Sequence, residues 1–300
     1  SHALVREHVR AGGRACALEA GVNGQMITLY ERGRHIPLVW THLIPATLEG
    51  RAMHNVQNAM FAAAIAFSLD IKLDAIRQGL RTFDSTFYQA PGRMNVYDEH
   101  PFKVLFDYGH NAHAVAAMAD LAQRLDCTGR RIVVLAGPGD RRDEDLVAIA
   151  QAVAGRFDHY VCRRDDALRG REPDEVPRII SAALRALGVP DGAITVIPDE
   201  QEAIDAALRM GQPGDLLLVF SDALVRSWKQ ITKFRPDGMQ PEQPAQAVAP
   251  ESVRGSAPGA TVTAKAGEGW TDGAGKVEPL NLEGLIRDGR GVRVAPETED

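Results

Sequence analysis

The spacing of apolar positions changes character along this chain. Between residues 14 and 44 it forms short runs, Arg14–Ala20, Gln25–Tyr30 and Ile36–Ile44, rich in Val, Ile, Thr and Leu. Turns carrying Gly, Asn or Arg-Gly-Arg separate them, so the first fifty residues are expected to be short strands. At His54 the pattern shifts to an Ala-rich stretch reaching Leu69, which predicts a long helix, and Leu73 to about Arg81 predicts a second. Ala90-Pro91-Gly92 then punctuates the chain, and a domain boundary is expected there.

Beyond that boundary strands and helices alternate. Arg93–Tyr97, Val104–Tyr108, Arg131–Ala136, His159–Cys162, Ile194–Ile197 and Leu216–Phe220 are strand-like. Ala112–Arg124, Asp143–Ala154, Glu172–Leu187 and Gln201–Met210 are helix-like. Continuously apolar strands between amphipathic helices imply a mostly parallel sheet covered on both faces. The expected fold class is α/β: a Rossmann-like domain over residues 91–235, preceded by a separate segment over residues 1–90. From residue 236 to residue 300 the composition turns to Pro, Gly, Ala, Glu and Gln, too little apolar surface to offset ordering entropy, and a disordered tail is expected.

Composition narrows the function. Hydrophobic residues at 45% and charged residues at 25% are ordinary for a globular protein. A net charge of −6 argues against a nucleic-acid binder, which needs surplus Lys and Arg. Cys16, Cys127 and Cys162 are too scattered for a zinc site or a disulfide framework. No apolar run approaches the roughly 18 residues of a membrane span, and no signal-peptide pattern opens the chain, so a cytoplasmic setting and no membrane partner are expected.

Several constellations invite a chemical reading. Gly137-Pro138-Gly139-Asp140-Arg141 follows a strand and precedes a helix, but lacks both the G-x-G-x-x-G spacing and a following Lys-Ser/Thr. It is either a plain turn or a supporting part of a site at the carboxyl edge of the sheet. Gly273-Ala274-Gly275-Lys276 fails the phosphate-loop pattern as well. Asn55 and Asn58 open the Ala-rich helix; they are either caps or a pair of amides able to meet a purine edge. Arg93 is a surface charge or a phosphate ligand, Asp107 a turn residue or an acceptor for ribose hydroxyls, and His110 a packed ring or a transition-state donor. Asp165-Asp166, with Asp140, Asp143 and Glu144 as rivals, are solvated acids or a recess for a cationic substrate.

The ordered trio His54-Asn55-x-x-Asn58-Ala59, Pro91-Gly92-Arg93 and Asp107-Tyr108-Gly109-His110-Asn111 is similar to the join between the central and C-terminal domains of the Mur ligase superfamily. Ala136–Asp145, Arg169-Gly170-Arg171-Glu172, Gly214–Phe220 and Trp228-Lys229-Gln230-Ile231 resemble the cyanophycin synthetase branch, as does Leu282–Val294. The resemblance implies an ATP-dependent ligase in which a carboxylate takes the γ-phosphate as an acyl phosphate and an amine displaces it. Carried over by motif, Asn55 and Asn58 meet adenine, Arg93 the phosphate side and Asp107 the ribose, with His110 catalytic. The branch joins arginine to side-chain carboxylates of a poly-aspartate (cyanophycin) primer, and Asp165, Asp166 and Arg169 are the expected amino-acid contacts.

Departures accompany the likeness. Ala112 stands where the family usually has proline, a change in loop stiffness. The family's glycine-rich phosphate loop, its Mg²⁺-holding residues and the branch's ATP-grasp domain have no counterpart in these residues. The chain alone is therefore expected not to turn over ATP, and the parent is expected to be a homo-oligomer. Another Mur-type ligase (a folylpolyglutamate or UDP-muramoyl peptide synthetase) and a non-catalytic assembly module are the alternatives.

Overall fold

The computed structural model describes residues 3–236, 285–288 and 291–294. The chain divides into two compact units, Ser1–Pro241 and Glu242–Asp300. In the second, β10 (Leu285–Asp288) and β11 (Gly291–Val294) pair antiparallel. The expected disorder of residues 236–300 otherwise falls outside the described residues.

The first unit opens with a helix that the strand-like reading of residues 1–50 did not include, α1 (Ala3–Arg10). An antiparallel meander follows: β1 (Ala15–Gly21), β2 (Gly24–Glu31) and β3 (Arg34–Trp40). The last strand stops at Trp40 rather than Ile44, because the chain turns through short 3-10 segments, Thr41–Leu43 and Pro45–Thr47. Two helices cover the meander, α2 (Met53–Ser68) and α3 (Leu73–Thr82). Ile27, Leu29, Val39, Ala59, Ala63 and Ile76 form their shared core.

Among the described residues the remainder of this unit is built on a six-stranded sheet ordered β4-β5-β9-β6-β7-β8. Its strands are β4 (Asn95–Tyr97), β5 (Lys103–Asp107), β6 (Arg131–Leu135), β7 (His159–Cys162), β8 (Ile194–Val196) and β9 (Leu216–Phe220). Edge strand β4 is antiparallel to β5, and every other pairing is parallel. Helices α4 (Ala112–Arg124), α5 (Asp143–Val153) and α6 (Glu175–Ala186) pack with Leu105, Val133, Leu135, Leu216 and Leu218 on one face. The opposite face places Val104, Phe106, Ile132, Val134, Leu217 and Val219 against α7 (Glu200–Met210) and α8 (Leu224–Lys233). Alternate residues of one strand thus enter different cores, which is why the strands are apolar throughout.

Local chemistry sets where the helices begin. The Asn111 side chain accepts from Ala114 N at 2.9 Å and starts α4. Asp199 accepts from the amides of Gln201 (2.8 Å) and Glu202 (3.0 Å) and starts α7. Strands β5, β6, β7 and β9 run parallel, so the loops that leave their carboxyl ends gather at one end of the sheet.

Candidate functional site

Two groups of expected residues gather at neighbouring places. The first lines a cavity of about 550 Å³ between α2, α3 and the loop leading to β4. Asn55, Asn58 and Arg93 all reach it, and its walls are apolar: Ala59, Ala62, Ile76 and Leu80 among them. Asn55 does not cap α2, whose N-cap is Ala52. Instead its Nδ2 donates to the Ala46 carbonyl at 2.7 Å and its Oδ1 accepts from Asn58 Nδ2 at 3.1 Å. Asn55 therefore orients Asn58, whose Oδ1 and second N–H remain available.

Arg93 is exposed, and its guanidinium sits 5.6 Å from the centre of the Tyr108 ring. Among the described residues no carboxylate lies within ion-pair distance of it. The turn presenting Arg93 depends on Gly92, whose φ of +67° suits glycine and where a Cβ would come within 2.5 Å of Leu224. Asn95 ties this loop from beneath. It is fully buried, accepts from Gly92 N at 2.8 Å, and donates to the carbonyls of Ser85 (2.7 Å) and Ala90 (2.9 Å).

The second group lies at the carboxyl ends of β5, β6, β7 and β9. Tyr108, Gly109, His110, Ala136, Arg163, Asp165, Ser221 and Asp222 surround a narrow recess there. His110 Nδ1 is 3.3 Å from the Tyr108 carbonyl oxygen, and the two rings are 4.9 Å apart. Tyr108 thus touches Arg93 on one side and His110 on the other, linking cavity and recess.

Asp107 lies behind both. Its Oδ2 accepts from Met94 N at 2.9 Å and its Oδ1 from Gly109 N at 2.7 Å, so it joins the Arg93 turn to the His110 loop. Burial raises its pKa, against the pull of these amides and of nearby Arg93 and His110.

The acidic and basic residues expected to hold an amino acid are each engaged by a partner within the chain. Asp165 meets Arg163 at 3.2 Å, Asp166 meets Arg226 at 2.6 Å, and Arg169 meets Asp140 at 3.2 Å. Asp165 alone of the three faces the recess, and burial raises its pKa. Asp166 and Arg169 stand in half-exposed pairs nearby, and Asp143 pairs with Arg171 at 2.7 Å. Gly139, in the loop after β6, packs so closely that a Cβ would overlap the Leu168 carbonyl oxygen. That contact gives the Gly137–Gly139 stretch a structural task, bracing the loop of Asp165 to Arg169.

A network under the recess has no motif in the sequence. Arg163, 1% exposed, donates through Nε and Nη2 to the Phe220 carbonyl and through Nη1 to Arg164 O, and lies 2.9 Å from Glu200. Fully buried Glu200 also accepts from Ser221, Ser227 and the amides of Asp222 and Ala223. Burial pushes the Glu200 pKa upward, but Arg163 and these donors outweigh it and hold the carboxyl below its usual range. The network locks the ends of β7 and β9 to the start of α7. The sequence signal was slight: charged residues directly after a strand and directly after a helix cap.

Residues 92–223 match the Mur ligase glutamate ligase domain. The chain carries a Mur ligase C-terminal domain. The chain is 33% identical over 231 residues to a cyanophycin synthetase of Geminocystis herdmanii, covering 77% of this chain and 26% of that protein. It is 36% identical over 236 residues to one of Trichormus variabilis, covering 76% and 25%. The chain thus spans about a quarter of the length of the curated relatives it matches. Among solved structures, a Mycobacterium tuberculosis folylpolyglutamate synthase complexed with ADP matches at 22% identity and a TM-score of 0.52. That match covers 78% of this chain and 52% of that one, a likeness of fold. The residues around the recess, from Tyr108 to Asp222, lie within the matched domain, while Asn55 and Asn58 precede it. Among the described residues no helix is long and apolar enough to cross a membrane, and no three His, Cys, Asp or Glu side chains are grouped to hold a metal ion.

Proposed function

We propose that this chain is part of an ATP-dependent ligase of the cyanophycin synthetase type, and that it supplies the adenine-side half of the ATP site together with the amino-acid end. The supporting observation is the convergence of Asn55, Asn58 and Arg93 on one apolar-walled cavity, joined through Tyr108 to the recess of His110 and Asp165.

The cavity suits a purine. Its alanine and leucine walls fit the flat faces of a base, and Asn58 offers a donor and an acceptor to its edge. Arg93 stands free of carboxylates, ready for phosphate oxygens, with its plane held by Tyr108. ATP supplies the activating phosphoryl group for a substrate carboxylate, and the amine then replaces that group to give the amide and free phosphate. Asp107 serves the ribose side chiefly by fixing the two backbone turns that bear Arg93 and His110. His110, which lines the recess at the carboxyl edge of the sheet, is assigned the role of donor to charge that develops there. The described side chains do not fit a metal site, and no metal step is assigned to them.

Arginine is the proposed amine and a poly-aspartate primer the acceptor. Asp166 already receives one guanidinium, from Arg226, in a half-exposed pair of low net worth that a substrate guanidinium can replace. Residues 1–90 are proposed as the end of the central domain and 91–235 as the C-terminal domain, in a cytoplasmic, oligomeric parent.

The test has two arms. In the full-length protein, Arg93→Ala and Asp166→Asn are expected to lower arginine incorporation into poly-aspartate by tenfold or more, the first through KM for ATP and the second through KM for arginine. The 300-residue chain alone is expected to bind adenosine and to release no phosphate from ATP. Steady ATP hydrolysis by that chain refutes the half-site reading.

A further inference from the structure

Four buried side-chain polar atoms lack a hydrogen-bond partner among the described residues: Ser85 Oγ, Arg130 Nε, Arg164 Nε and Gln230 Oε1. Three of these belong to side chains that are anchored through another polar atom. Arg130 Nη2 donates to Met210 O and Asp215, Arg164 Nη1 to Asp165 O, and Gln230 Nε2 to Gln201 O. Ser85 differs in kind, since Oγ is its sole side-chain polar atom. It also differs in place, because Ser85 lines the cavity that Asn55, Asn58 and Arg93 share.

The backbone at Ser85 is fixed. Its carbonyl accepts from Asn95 Nδ2 at 2.7 Å, the same side chain that holds Ala90 and Gly92. A hydroxyl on a fixed backbone with no partner is a net cost to the folded chain, and alanine would avoid it. Rotation about χ1 carries a serine hydroxyl between staggered positions, so Oγ can turn from its closed-off position towards the cavity.

We infer that Ser85 is a specificity-determining residue of the nucleotide cavity, its hydroxyl taking its hydrogen bond from the polar edge of a bound purine base. The inference rests on the nucleotide reading of that cavity. It adds a contact from the loop before β4, outside the residues matched by the family domain and outside the motifs read in the sequence. Asn55 spends both ends of its amide inside the protein, so Asn58 alone would leave the base edge weakly specified. A hydroxyl serves as donor or acceptor and complements either kind of edge atom.

Saturation-transfer NMR titrations of adenosine and adenine against the 300-residue chain, with thermal melts of the ligand-free protein, test this for wild type, Ser85→Ala and Asn58→Ala. Ser85→Ala is expected to weaken both ligands about three- to tenfold, the worth of one net hydrogen bond, while its ligand-free melting temperature stays equal or rises. Unchanged binding in Ser85→Ala, with binding lost in Asn58→Ala, overturns the inference and leaves the nucleotide reading standing. A lower melting temperature in Ser85→Ala also overturns it, because the hydroxyl would then have a structural partner. Loss for adenosine but not adenine overturns the base-edge assignment. Failure of the wild-type chain to bind either ligand overturns the inference and the nucleotide reading together.

Discussion

Asn95 offers the sharpest test of how the cavity and the Arg93 turn are held. It is fully buried and makes three side-chain hydrogen bonds, to Gly92 N, Ser85 O and Ala90 O. Substituting Asn95→Ala removes all three and leaves an amide and two carbonyls to find other partners. At about 1 kcal/mol net per bond the loss is about 3 kcal/mol. In a cooperative unit of this size each kcal/mol corresponds to about 2–4 °C, so the melting temperature is expected to fall by roughly 6–12 °C. Asn95→Asp makes the comparison specific. It keeps the acceptor for Gly92 N but turns two donors into an anionic oxygen facing two carbonyls, and it is expected to be at least as damaging. Circular dichroism melts of the three proteins settle the matter. A fall below about 2 °C for Asn95→Ala, or an Asn95→Asp protein as stable as wild type, refutes the idea that this side chain organises the loop.

Three further outcomes follow from the structure. Glu200→Gln leaves buried Arg163 with Asp165 as its remaining carboxylate partner among the described residues and is expected to cost about 1.5–3 kcal/mol in urea denaturation at neutral pH. Because the Glu200 pKa is lowered on folding, its contribution is present above its ordinary value of 4.5 and is lost as pH falls through the lower folded value; that acid limb should flatten in the variant. Asp107 has the opposite sign: its folded pKa is raised above 3.8, so wild type gains relative stability as pH falls through that window, and Asp107→Asn should lack the gain. At neutral pH the amide can serve only one of the two backbone N–H groups and should cost about 1–3 kcal/mol by the same assay. Gly139→Ala, which drives a methyl into the Leu168 carbonyl, should speed amide hydrogen exchange across residues 163–171 while β6 stays protected; uniform protection would contradict that tight approach.

Much of this architecture is written locally. The helix from Ala112 to Arg124 and the strands from His159 to Cys162 and from Leu216 to Phe220 fall where their patterns place them, because a cap or a continuous apolar run marks each one. The helix from Leu224 to Lys233 is not among the expected elements: Leu224, Trp228 and Ile231 share one face, but Val225, Ser227 and Thr232 beside them have weak helix preference. The helix from Ala3 to Arg10 is amphipathic, but at eight residues it is too short for its period to stand out beside the strand patterns that follow, and it buries no residue. In the candidate site the amides and Arg93 were legible through their motifs. The Arg163–Glu200 pair was not, since its members are distant in sequence and each alone reads as a surface charge. Ser85 was invisible for another reason: a hydroxyl without a partner has no pattern, and only the packed loop exposes the omission.

The position of β9 in the sheet has a consequence for how the protein is made. The last strand of the sheet to be synthesised lies at its centre, paired in parallel with β5 on one side and β6 on the other. Until Leu216–Phe220 emerges, those two strands are separate open edges that cannot hydrogen-bond to each other in the native order. The sheet therefore closes by insertion, with long-range contacts that are slow to form, and chains interrupted before residue 216 keep sticky edges exposed. Nascent chains of this protein would depend on prompt release or chaperone cover during that interval, and deletions reaching β9 should produce aggregates instead of smaller folded domains.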